Sequence, residues 1–162
     1  MTINNPQNFV KVGGLVNESR LTLGIHGEDL EPDEISRLLG CAPSSSHRRG
    51  EPRQSGPPWP SGAWLLSVEA KSPTGPDELV HLLLSRLPTD ETLWSDLRSR
   101  FRVQMSFGIF TQRWNRGFEL SAEALQRIQS IGAGVGFDIY ANLEDDDGYH
   151  RSGFDEDAEG VH

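Results

Sequence analysis

Residues 101–109, FRVQMSFGI, alternate without a break. Phe101, Val103, Met105, Phe107 and Ile109 fall on one side; Arg102, Gln104, Ser106 and Gly108 fall on the other. A period of two over this length marks a strand with one face in a core and the other in a polar setting. A lone strand is not stable in water, so the pattern demands partner strands and a cover for the apolar side. Three further stretches supply partners. RLTLGIHG sets Leu21, Leu23 and Ile25 against Thr22, Gly24 and His26. GAWLLSVEA puts Trp64, Leu66 and Val68 on one side, and VGFDIYAN sets Val135, Phe137 and Ile139 against Asp138, Tyr140 and Asn142. FVKVGGLV adds a weak edge-strand pattern.

Between these lie helical segments. EPDEISRLLG has Pro32 at a first helical position, Asp33 and Glu34 at the positive end of the dipole, Gly40 as terminator, and Ile35, Leu38 and Leu39 at inward spacing. GPDELVHLLLSRLP runs from Pro76 to a stop at Pro88. TDETLWSDLRSR starts with Thr89 as the expected cap. FELSAEALQRIQSIG has Ser121 as cap, with Leu125, Ile128 and Ile131 facing inward. The order is strand-helix-strand, two helices, then strand, short strand, helix, strand. It predicts an α+β fold with ferredoxin-like layering: two strand-helix-strand halves forming a mostly antiparallel sheet with helices on one face. His26, Glu69, Arg102, Asp138 and Tyr140, with Thr22, Ser67 and Gln104, then share the bare polar face. Residues 1–18 read as a loose N-terminal arm, 19–143 as one α+β domain, and 144–162 as an acidic tail expected to be disordered.

Charge is unevenly placed. From Glu144 onward the chain carries eight of its 24 acidic residues and one of its 15 basic ones, which is −7 of the net −9. The remainder is close to neutral and a poor match to a phosphate backbone, so no nucleic-acid partner is expected. Mean hydropathy is −0.50 and no apolar run approaches a membrane span, so no membrane partner is expected either. The first residues lack a basic, then apolar, secretory pattern, and the single cysteine, Cys41, allows no internal disulfide; a cytoplasmic setting is expected.

Chemical motifs are scarce. GAGVG at 132–136 follows a helix and precedes a strand, the reverse of a dinucleotide loop, and reads as a turn. Around Gly148 a calcium loop would need oxygen donors where Leu143 and Phe154 stand. His26 and His81 lack metal-ligand spacing, and Cys41 and Ser44 to Ser46 lack a nucleophile's context. No catalytic residue, metal or cofactor is therefore expected. The arginines remain. Arg48, Arg49 and Arg53 share a Gly/Pro/Ser loop, residues 41–62, with Trp59; Arg113 and Arg116 flank Trp114 in a second loop. Guanidinium forks grip carboxylates and phosphates, and a Trp face can hold a guanidinium, so the two loops form one electropositive rim if they meet at the same sheet edge.

The segments DLEPDEISRLLGCAPSSSHRRGEP, GAWLLSVEA and FELSAEALQRIQSIGAGVGFDIY resemble the bacterial family catalogued as domain of unknown function 4279. The resemblance rests on Leu39-Gly40, Pro43-Ser44, Arg49-Gly50 and Gly62-Ala63-Trp64, and spans roughly residues 20–142. It implies the fold and no chemistry. The function expected from the residues is a non-catalytic protein-binding or regulatory module of the immunity type. The alternatives are a small-molecule anion-binding domain, and an enzyme using His26, Glu69 or Asp138 in a site assembled only in space. A homodimer through the open sheet face is a further expectation.

Overall fold

The computed structural model describes residues 14–141. Seven strands and four helices follow in the order β1 (Gly14–Leu15), β2 (Glu18–Gly27), α1 (Pro32–Leu39), β3 (Ser45–His47), β4 (Gly62–Lys71), α2 (Pro76–Leu84), α3 (Glu91–Arg100), β5 (Arg102–Thr111), β6 (Arg116–Gly117), α4 (Ala122–Ile131) and β7 (Gly134–Ala141). The main sheet runs β3-β4-β2-β5-β7, antiparallel except for the β5–β7 pair; β1 and β6 form a separate parallel pair. The acidic stretch 144–162 and most of the arm expected at 1–18 lie outside the described residues, as do Asn142 and the Gly148 segment.

The α+β class, the mostly antiparallel sheet and the one-sided helical layer are as expected. The strand order is not that of a ferredoxin-like split unit. In both strand-helix-strand halves the two strands are direct neighbours, β2 beside β4 and β5 beside β7, with no strand between them.

Strand alternation decides the core. Leu21, Leu23, Ile25, Trp64, Leu66, Val68, Val103, Met105, Phe107 and Ile109 are buried on one face of the sheet. Helix α1 packs on β4, α2 covers β2 and β4, α3 covers β5, and α4 packs on α2 and α3. Gly40 and Gly132 end α1 and α4 in the left-handed conformation, φ 70° and 61°, which glycine adopts without steric cost. Gly132 thus makes GAGVG the helix-to-strand turn that its flanks require.

Several positions differ from the sequence reading. Asp90, not Thr89, caps α3, its carboxylate accepting from the Thr92 and Leu93 amides. Leu38 and Leu125 point outward, 38% and 51% exposed, while Ala124 takes the buried place on α4. Val135, Phe137 and Ile139 lie on the helix side of β7, in register with Met105, Phe107 and Ile109, yet none is buried. The helices do not reach that far along the layer.

Candidate binding surface

Among the described residues the second face of the sheet carries no helix. Across β4, β2, β5 and β7 the register aligns Ser67, Thr22, Ser106 and Gly136 in one row, and Glu69, Arg20, Gly108 and Asp138 in the next. The polar groups pair within the face. The Thr22 and Ser67 hydroxyls are 2.8 Å apart, and Arg20 donates to Glu69 at 2.9 and 2.7 Å. At one end Phe110 and Tyr140 stack with centroids 4.9 Å apart, and Tyr140 is exposed. All five polar-face candidates, His26, Glu69, Arg102, Asp138 and Tyr140, stand on this side.

At the other end the surface is extended by residues 41–61. The chain leaves α1, pairs briefly as β3 with the start of β4, and is pinned by the Ser44 amide donating to the Leu65 carbonyl at 2.7 Å. His47 then lies beside Ala63, His26 and Arg102 in a single row. Trp59 is held by two backbone hydrogen bonds: Gly50 donates to its carbonyl at 2.7 Å, and its own amide donates to Glu51 at 3.0 Å. Its ring stacks on His47 at 3.6 Å, with the Arg53 guanidinium 3.8 Å from its centroid. Two groups that close to one centroid must occupy opposite faces, so Trp59 is sandwiched. Burial, then Arg102 and His47, lowers the pKa of His26; burial, then Arg53, lowers that of His47 against the pull of Glu51. Both imidazoles therefore favour the neutral form more than a free histidine does.

The arginines of this loop divide by role. Arg48 bridges Glu31 and Asp33, each at 2.7 Å, with Glu51 at 3.6 Å. It ties the loop to the start of α1, and its charge is matched by three carboxylates. Arg49 reaches Glu28 at 3.3 Å. Arg53 is committed to Trp59, and Arg102 is exposed with no ion pair among the described residues.

The second loop, 111–117, does not join them. It leaves the C-terminal end of β5, whereas residues 41–61 adjoin the β5 N-terminus, so the length of a ten-residue strand, roughly 30 Å, separates the two. Arg113 and Trp114 are exposed there, and the Arg116 side chain lies over Gly14 of β1. The single rim expected from Arg48, Arg49, Arg53, Trp59, Arg113, Trp114 and Arg116 is therefore two separate sites. The tripartite acid-base set is likewise dispersed. Glu69 and Asp138 share a row three strands apart, roughly 14 Å, and His26 lies six residues along β2 from that row, roughly 20 Å.

A cavity of about 620 Å³ opens elsewhere, between β1, β6 and the starts of α2 and α4. Its walls include Asp77, Glu78 and Glu119, but Asp77 accepts from the Ser121 amide at 2.7 Å and Glu78 from Gly75 at 2.9 Å. Those carboxylates serve the helix starts. No sequence signal pointed to this cavity, because its lining comes from separate short segments. Among the described residues no group of three His, Cys, Asp or Glu side chains could hold a metal ion. Cys41 is half-buried, and burial raises its thiol pKa, the opposite of an activated nucleophile. No helix of the described residues is long and apolar enough to cross a membrane.

Comparison with known proteins adds one match. The family model described as "Domain of unknown function (DUF4279)" covers residues 17–142. No curated protein and no solved structure matches the chain.

Proposed function

Because the chain belongs to this family of domains of unknown function, over the span that holds the whole main sheet, we propose a role from its surface: a non-catalytic module that binds a protein partner through the open face. The observation that carries this reading is the bare side of a five-stranded sheet, tiled by internally paired polar groups and anchored at both ends by exposed or half-exposed aromatic and cationic side chains. Trp59, Arg53 and Arg102 mark one end, and Tyr140 on Phe110 the other. Arg, Trp and Tyr are the residues that most often dominate binding energy at protein interfaces. The centre, with Thr22, Ser67 and Gly108, carries small side chains, which suits a broad partner better than a small molecule. A regulatory or immunity-type role is the finer form of the same proposal.

The test is capture of partners from the native cell by the wild-type chain beside a Thr22→Arg, Ser67→Arg double variant. A partner held by the wild type and lost by the variant is expected. No partner above background, or one held equally by both, overturns the reading.

A second reading has its own support. His26 and Arg102 are cross-strand neighbours at one end of the face, and Arg102, exposed and without an ion pair among the described residues, offers its guanidinium to an anionic ligand of low molecular weight. A ligand that binds only the folded state raises the melting temperature. Phosphate, nucleotide or carboxylate would then stabilise the wild type and not Arg102→Ala.

A further inference from the structure

The two edges of the main sheet are built differently. Strand β3 closes one edge with only Ser45–His47, all polar, with Pro43 before it and Arg48 and Arg49 after it. A short strand with proline and cations beside it is how natural sheets block edge-to-edge pairing. Strand β7 closes the other edge with eight residues, GVGFDIYA. It has no proline, no lysine and no arginine, and among the described residues no strand pairs its outer side.

The same edge carries a core-like side-chain row that the monomer does not bury. Val135, Phe137 and Ile139 are 43%, 46% and 66% exposed. Phe137 stacks on Phe107 at 5.0 Å and meets Phe118, itself partly exposed, at 5.7 Å. Leu125 of α4 is also half exposed. Apolar area left in water forgoes about 25 cal/mol per Å², so a contiguous row of this kind points to an occupant.

We propose that the occupant is a second copy of this chain, paired antiparallel along β7 about a twofold axis at Phe137. The sequence of the strand is self-complementary in that register. Phe137 meets its own counterpart, Val135 meets the second copy's Ile139, Asp138 meets the second copy's Gly136, and Tyr140 meets the second copy's Gly134. Every apolar side chain faces an apolar one, and the single charge faces a glycine. The alternatives are worse. A two-residue slip one way opposes Asp138 to the second copy's Asp138, a repulsive cross-strand pair. The same slip the other way leaves Ile139 opposite Ala133. A one-residue slip sets the apolar face against the polar one. An axis normal to the sheet makes the apolar faces of both copies continuous and joins the two five-stranded sheets into one. The open polar face of each copy stays uncovered, so this inference stands or falls apart from the one above.

The test is sedimentation equilibrium of the full chain over a concentration series. The wild type is expected to show a monomer–dimer equilibrium. Ile139→Lys, which places a charge at the most exposed apolar site of the row, is expected to weaken it about tenfold or more. Val135→Lys should act alike, and cooperative thermal unfolding of both variants checks that they fold. Thr22→Arg, on the open face, should leave the dimer intact. A wild type that stays monomeric throughout, as it would if its own terminal segments covered β7, overturns the inference. So does a dimer that survives both lysine variants, or one broken by Thr22→Arg.

Discussion

Trp64 donates its indole N–H to the Ser36 hydroxyl across 3.0 Å, and that hydroxyl donates in turn to the Pro32 carbonyl at 3.0 Å. The indole is fully buried, so this relay is its route to a hydrogen-bond partner and it locks β4 to α1. Ser36→Ala strands a buried donor. The expected loss is about 1–3 kcal/mol, measured as a shift in the urea midpoint. Trp64→Phe removes the donor, so adding Ser36→Ala to it should cost clearly less than Ser36→Ala costs alone. Strict additivity would show that the relay carries no coupling.

Arg48 concerns the loop rather than the core. Its partners Glu31, Asp33 and Glu51 are exposed, and exposed ion pairs contribute little to global stability. Their effect is local, because they fasten residues 41–61 to the start of α1. Arg48→Ala should leave the melting temperature nearly unchanged while speeding amide exchange and proteolytic cleavage within 44–60. Equal exchange in both proteins would mean that the Trp59 sandwich and the Ser44 contacts hold the loop unaided.

The pH dependence follows from His26 and His47. Both titrate below the ordinary histidine value of 6.5, chiefly because burial disfavours the imidazolium. The unfolded chain therefore takes up these protons first as pH falls. Their contribution to stability is fully present above about 6.5 and is lost on acidification through their lowered folded values. Urea midpoints of wild type and His26→Gln, compared across that window, should show a shallower acid loss in the variant. Parallel curves would assign the acid sensitivity to other groups.

How far these features were visible beforehand depends on the range of the interactions behind them. The inward row Val103, Met105, Phe107 and Ile109 was legible because alternation is set by the strand itself, and it also assigned His26, Glu69, Arg102, Asp138 and Tyr140 to one face. Caps such as Ser121, whose hydroxyl accepts from the Ala124 amide, were legible for the same local reason. The exposure of Val135, Phe137 and Ile139 was not, since their pattern matches that of the central strands and only their place at the sheet edge separates them. Nor was the separation of the two arginine loops. Which end of a strand a loop leaves depends on pairing direction, and the pairing of β5 with β2 over long sequence range decides it. The engagement of Arg48 by Glu31 and Asp33 depends on the return of the 41–61 segment along β4, which glycine, proline and serine content does not encode.

Two glycines of the sheet should respond oppositely to alanine. A Cβ at Gly62 would stand 2.5 Å from the Leu30 carbonyl oxygen, a backbone atom that can move only by shifting the turn between β2 and α1. Gly62→Ala is expected to cost about 1–3 kcal/mol through this overpacking. At Gly108, on the open face, a Cβ would find the Phe110 ring at 3.4 Å and the Arg20 side chain at 3.8 Å, ordinary contact distances. Its φ is not in the left-handed region. Gly108→Ala should therefore be neutral or stabilise by up to about 1 kcal/mol, because it restricts the unfolded chain. Paired urea titrations decide the matter. A large loss from Gly108→Ala would mean that the centre of the open face is packed more tightly than its contacts indicate, and equal small effects at both sites would remove the close approach of β4 to Leu30.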